Sequence, residues 1–233
     1  ADGARSFQGC PLVEYTSQWM LWQVYSDWTT IEKFHLDAYM EQTHLSLLNQ
    51  ENMYHAPQFM EYWSNKHGLE IIARIWKEAE GTEDAIQAYQ RLTGLDQEAF
   101  NDEIYEAATR FVTWDIPRIK KVCSSYANEH TCKLDALSDG WFRIAQTRCP
   151  QNYGYNAIRL NVPEAGTLVS LDFKGLAGSQ EFRTLHVDKA GWRYGFVAVG
   201  KDGKCTYGKM HVGRNGMNET VELKVPEETQ FLW

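Results

Sequence analysis

Apolar side chains recur at helical spacing along the first half of the chain and at every other position along the second. Residues 15–26 are rich in Trp, Met, Leu and Val with no breaker, the pattern of a buried helix. Thr29 stands three residues before Glu32, a capping-box spacing that predicts a second helix running to about Leu48. Within it Phe34, Leu36, Tyr39 and Met40, then Leu45, Leu47 and Leu48, fall at roughly helical intervals. Residues 49–56 form a polar connector. Pro57 suits the first turn of a third helix and Gly68 its stop, with Phe59, Met60, Trp63 and His67 on or near one face. A fourth helix is expected over Leu69 to Glu80, with Ile71, Ile72, Ile75 and Trp76 inward. Thr82 is expected to cap the next helix, Gly94 to close it, and Asp96 to cap another that runs to about Thr113.

The period becomes two from about Trp141. Segments 155–162, 166–174, 181–186, 191–200, 205–212 and 220–225 are short, alternating and bounded by Gly, Pro, Asn or Asp. Trp192, Tyr194, Phe196 and Ala198 share one face, and Asp202-Gly203 between two runs is a hairpin signal. Together with 141–145 and 230–233, these runs predict an α+β protein. Its first domain is a helical segment over 1–126, and its second is an antiparallel β-sandwich, jelly-roll-like, over 127–233. Phe231-Leu232-Trp233 ends the chain inside a strand pattern, so the sandwich is expected to lack its final segment.

Charge changes the picture unevenly. The net charge is −8, yet residues 1–126 hold 19 acidic and 10 basic side chains, so the acidity belongs to the helical segment. Solvated helix faces account for it, and an acidic surface for a cation or a basic partner is the sharper account. A pI near 5.4 argues against nucleic acid as a partner. The longest apolar runs are only a few residues, so no membrane-spanning segment is expected, and the opening residues carry no leader pattern.

The five cysteines, Cys10, Cys123, Cys132, Cys149 and Cys205, contain no C-x-x-C pair. A loop closed by Cys123 and Cys132 and a set of buried thiols both stay open. Asn218-Glu219-Thr220 matches a glycosylation sequon. No nucleophile elbow, Walker loop or Rossmann fingerprint occurs. No two histidines stand at His-x-x-x-His spacing, and Glu41 to His44 has the Glu-x-x-His spacing, which a di-iron bundle needs twice together with two further glutamates on facing helices. A Cys–His nucleophile pair stays open because such pairs meet only in space. His67 suits a helix C-terminus. His55 follows Tyr54 in the connector ahead of Pro57, and a loop histidine beside an aromatic is the catalytic candidate.

The stretch from Glu14 to Tyr25 (EYTSQWMLWQVY) resembles a segment of zincin-like proteins of bacterial secreted and surface families. So do Leu36-Asp37-Ala38-Tyr39-Met40, Asn52-Met53-Tyr54-His55-Ala56-Pro57, Glu61-Tyr62-Trp63 and the run from Gly191 to Ala198. In that family a His-Glu-x-x-His helix, a short spacer and Phe-Gln precede a helix that carries a glutamate. The resemblance implies a gluzincin-type metallopeptidase relative, secreted or on the cell surface, with zinc as cofactor and Glu14 as third metal ligand. Two imidazoles and that carboxylate would hold zinc, and the motif glutamate would take a proton from bound water. In this chain Ala1-Asp2-Gly3-Ala4-Arg5 occupies the motif's place before Phe7-Gln8. Alanine binds no metal, and arginine brings a fixed positive charge. A degenerate pseudo-enzyme, a fragment with a non-native start and a different register all remain open. Glu14 also has a plain role at the N-terminus of its helix. The alternative function is a non-catalytic module that binds glycan or a protein partner through the β-sandwich, since aromatic faces on such domains stack on sugars.

Overall fold

The computed structural model describes residues 10–178 and 186–233. The chain divides into two compact units, the first ending at Ile158 and the second spanning Arg159–Trp233.

The first unit is built from eight described helices. Helix α1 (Cys10–Val24) buries Leu12, Tyr15, Trp19 and Trp22, a stripe repeating every three or four residues. Helices α2 (Trp28–Ile31) and α3 (Lys33–Glu41) stand where one long helix was expected. The β-branched run Thr29-Thr30-Ile31 weakens helix continuation, and the backbone leaves helical geometry at Glu32 (φ −102°, ψ 51°). Thr29 is therefore not a cap; it lies buried inside α2. Because α3 ends at Glu41, the Glu41 to His44 spacing never shares a helix.

Helix α4 (Gln58–His67) follows Pro57 and stops at Gly68, whose φ of +90° favours glycine. Its first seven residues are all buried, so it is the central element of the unit. Helix α5 (Glu70–Glu78) turns Ile71, Ile72 and Ile75 inward. Helix α6 (Ala85–Thr93) is capped by Asp84, not Thr82, through a reciprocal box with Gln87. Helix α7 (Gln97–Phe111) starts at Asp96, which accepts from the Ala99 N–H at 2.8 Å. Helix α8 (Pro117–Cys123) begins on proline. Aromatic rings fill the space between: Trp63 stacks on Tyr89 at 4.3 Å, and Phe59 meets Phe111 edge-on at 4.9 Å.

A short hairpin of β1 (Leu134–Ala136) and β2 (Phe142–Ile144) also belongs to this unit. The chain then returns to the helices, where the N–H groups of Gln151 and Tyr155 donate to the carbonyls of His44 and Thr43, each at 2.8 Å. Gly154 is required there: a Cβ would lie 2.2 Å from the His44 carbonyl oxygen. Cys123 and Cys132 are free thiols, so the loop that a bond between them would close is not formed. Cys123 is fully buried at the end of α8, while the Cys132 Sγ rests against Asn156 Oδ1 at 3.5 Å.

The second unit contains β3 (Leu168–Lys174), β4 (Gly191–Tyr194), β5 (Val197–Gly200), β6 (Cys205–Tyr207), β7 (His211–Arg214), β8 (Asn218–Lys224) and β9 (Thr229–Leu232). All named pairs are antiparallel, but the expected jelly-roll-like sandwich does not form. Strands β3 and β8 make one pair, β4 and β7 a second, and β5 lies between β6 and β9 in a third sheet; none closes or curls. The alternating run 191–200 breaks after Tyr194, and its halves take different partners. The run 205–212 breaks at Gly208, where a Cβ would press to 3.2 Å on the Phe196 carbonyl oxygen. Alternation shows that a strand exists, whereas its partner depends on backbone groups far away in sequence. Of the expected strand at 155–162, Leu160 makes a single bridge to Leu232, and 181–185 lie outside the described residues.

Tyr194, Phe196 and Ala198 do share a core, with Val221 and Leu232, and Trp192 packs against it. The Asp202-Gly203 turn joins β5 to β6 as expected. The apolar end is a paired strand with Leu232 fully buried. Asn218 of the sequon opens β8 and is exposed. Among the described residues no helix is long and apolar enough to cross a membrane.

Candidate functional site

The break at Glu32 has a chemical consequence. It sets the Glu32 carboxylate beside the His35 ring one turn later, with Oε2 at 3.2 Å from Nε2. From the other side comes His55. A 3-10 turn over Gln50–Asn52 is capped by Asn49, the His55 N–H donates to the Asn52 carbonyl at 2.8 Å, and Pro57 then starts α4. These constraints hold His55 with its Nδ1 at 2.8 Å from His35 Nδ1. The two rings line a small pocket of about 20 Å³, walled by Trp22, Trp28, Leu36, Tyr54, Pro57 and Gln58 among others. That volume has room for about one water molecule. Trp28 is held in place by its Nε1–H, which donates to Gln18 Oε1 at 2.9 Å.

The protons can be assigned. Two nitrogens 2.8 Å apart need one donor and one acceptor. Burial lowers the His35 pKa, and this outweighs the raising effect of Glu32. Burial, then the neighbouring His35, lowers His55 as well. Both rings are therefore neutral near pH 7. The Glu32 carboxylate accepts the proton of His35 Nε2, which leaves His35 Nδ1 as a lone pair. His55 Nδ1–H donates to it, and His55 Nε2 carries the remaining lone pair. The order carboxylate, imidazole, imidazole thus ends in a basic nitrogen on His55.

Of the sequence-derived candidates, His55 is in this site and Glu14 is not. Glu14 lies half-buried on α1, one helical turn before the pocket residue Gln18. Ala1, Asp2 and Arg5, which stand in the place of the metal motif, lie outside the described residues. The sequence reading missed Glu32, which the capping-box pattern absorbed, and His35, whose partner lies twenty residues away. Spacing within a helix could have paired Glu32 with His35, but nothing local reports the contact with His55.

Zinc does not fit this arrangement. Two imidazole nitrogens on one tetrahedral zinc stand roughly 3.3 Å apart, given bonds of about 2.0 Å. Here they share a proton at 2.8 Å, and Glu32 sits on the far ring nitrogen. Among the described residues no group of three or more His, Cys, Asp or Glu side chains is placed to hold a metal ion. A thiolate is disfavoured at two cysteines as well: burial pushes Cys123 up to about 12 and Cys132 to about 11.

Residues 3–233 match DUF6055, described as a family of unknown function. The chain belongs to that family. No curated protein and no solved structure matches it. For this DUF6055 chain the chemistry must therefore be read from the side chains themselves.

Two further polar groups of the first unit centre on buried carboxylates. Glu103 on α7 receives the Tyr89 hydroxyl on one oxygen and faces His67 Nε2 at 3.1 Å on the other. Glu61 on α4 accepts from Trp19 Nε1 at 2.9 Å and faces Arg118 Nε at 3.5 Å. Both carboxylates are buried and surrounded by donors, which suits a clamp between helices. The most exposed large apolar side chains of the second unit, among the described residues, are Leu168, Leu176, Val212 and Met217. None of these offers a flat ring to a sugar.

Proposed function

We propose that the protein is a secreted or surface relative of the gluzincin metallopeptidases with an incomplete metal site, whose first unit carries a hydrolytic general base at His55. The observation that supports the base is the 2.8 Å contact between His35 Nδ1 and His55 Nδ1 with Glu32 behind it. Glu32 fixes the tautomer of His35, and His35 fixes that of His55. The outward Nε2 of His55 is then ready to accept a proton from water. The ancestry, the secreted placement, zinc and the role of Glu14 as its ligand are supported by the sequence resemblance alone.

The test is hydrolysis of p-nitrophenyl acetate and of a mixed peptide library by the wild type, His55→Ala and Glu14→Ala, with and without chelator. Loss of about 10²–10⁴-fold in rate is expected for His55→Ala, in a protein whose circular dichroism is unchanged. Chelator and Glu14→Ala should leave the rate intact. The base form of His55 predominates above its lowered pKa, so activity should persist below pH 6.5 and fall only as pH approaches that value. A rate abolished by chelator and by Glu14→Ala would replace the imidazole base with a zinc site. A protein inactive on every substrate that bound glycan or a protein partner would establish the binding module instead.

A further inference from the structure

We propose that the outer face of α1 is the contact surface between two copies of this chain, which pack helix against helix in antiparallel register. The proposal is independent of the reading of His55.

Helix α1 carries one charged side chain in fifteen residues, Glu14. Leu12, Tyr15, Trp19 and Trp22 turn into the core. Between residues 11 and 24 the exposed positions are Val13, Ser17, Met20 and Val24, which stand at i, i+4, i+7 and i+11 and so form one line along the helix. Val13 is 36%, Met20 52% and Val24 70% exposed. The one hydroxyl in the line is satisfied within the helix, since Ser17 Oγ donates to the Val13 carbonyl at 2.9 Å. The line therefore offers no polar side chain that burial would strand. A solvated helix of the same unit looks different: on α5 the exposed positions are Glu70, Ala73, Arg74, Lys77 and Glu78. A helix that is apolar on its outer face as well as its inner one is suited to being covered on both.

Charge and shape point to a second copy as the cover. Residues 1–126 hold 19 acidic and 10 basic side chains, so two copies repel one another where their charged faces meet. The α1 line is a face on which they can meet without charge, whereas a basic partner is drawn to the acidic faces. The line also fits itself. In an antiparallel pair with a two-fold axis between residues 18 and 19, Val13 meets Val24 of the partner subunit, and Ser17 meets Met20 of the partner subunit. Each contact then occurs twice, as an isologous interface requires. The small serine leaves the space that the long, adaptable methionine fills. The two Glu14 carboxylates stand roughly 13 Å apart along the helices, beyond the screening length of about 8 Å in physiological salt. A single helix pair buries little area, so the dimer is weak and its population follows concentration.

The test is sedimentation velocity of the whole chain from about 5 µM to about 500 µM, a range that spans weak association. The apparent mass should rise from that of one chain toward that of two. Met20→Glu and Met20→Lys each put like charges beside the axis, and each should raise the dissociation constant about tenfold or more. Circular dichroism should be unchanged, because Met20 is half exposed. An equimolar mixture of the two variants should associate again. A wild type that stays monomeric at about 500 µM overturns the proposal. So does a dimer that both variants leave intact, or a mixture of the variants that stays monomeric. A monomer in which hydrogen peroxide oxidises Met20 slowly would give the face to another part of this chain, and a monomer that binds a Leu/Lys amphipathic peptide would give it to a basic partner; either result overturns the second copy.

Discussion

Two carboxylate–imidazole groups in the first unit use the same residue types to opposite ends. Around Glu103 the side chain is only 3% exposed, and each oxygen has a donor: Tyr89 on one, His67 on the other, with Lys66 at 3.5 Å. Three helices meet at that one charge, and the hydrogen bonds stop there. Around Glu32 the carboxylate is 34% exposed and its donor, His35, passes a hydrogen bond on to His55 at the pocket. A buried charge closed by donors specifies packing; an open one with a second imidazole beyond it orders the tautomers of both rings. What separates them is how many donors close around the carboxylate.

Removing the closed group should have the largest effect on the fold. Glu103→Ala leaves the Tyr89 hydroxyl unsatisfied in the core and takes the partner from the partly exposed His67, and about 3 kcal/mol of stability should be lost in urea unfolding with an unchanged m-value. A loss under about 1 kcal/mol would mean that Glu103 is no clamp and that the contrast with Glu32 is wrong.

A third histidine sharpens the contrast from the acid side. His130 is buried, its Nε2 shares a hydrogen bond with the Tyr155 hydroxyl at 2.9 Å, and burial lowers its pKa to about 3. Its folded pKa lies below the unfolded value of about 6.5, so the unfolded chain binds the extra proton between the two. Stability from this group is complete above pH 6.5 and falls by about 1.4 kcal/mol for each unit below it, until pH 3. His130→Gln should flatten that slope in a series of thermal melts. An unchanged slope would place the acid sensitivity at His35 and His55, whose pKa values are lowered in the same sense.

The smallest effect on stability is expected at the open group. Glu32→Gln removes a partly exposed partner and should cost less than about 1 kcal/mol. Its signature is chemical: the ¹⁵N shifts of His35 should lose their single-tautomer pattern, and turnover should fall with them. A preserved tautomer would show that His55 alone orients His35.

Much of the first unit was legible because its signals are local. Asp96 as a cap, Gly68 and Gly94 as stops, Pro57 as a start and the inward Ile71, Ile72 and Ile75 are all decided within one or two turns. The misread cap at Thr29 was also a local matter, since a spacing that fits a box lost to a β-branched run. In the second unit alternation located strands such as β3, β8 and β9, yet it said nothing of pairing. Gly208 against Phe196 and the change of partner after Tyr194 are contacts between distant segments, and they turned an expected sandwich into separate small sheets.

The site divides in the same way. The sequence by itself determined that His55 sits in a connector beside an aromatic ring, and that Glu32 and His35 stand one turn apart. Tertiary structure alone decided that these meet, and that Glu14 stays one turn outside their pocket. The physical reason is range. Helix periodicity and capping act over three or four residues, whereas a shared proton between two imidazoles needs two segments twenty residues apart to be folded onto one another.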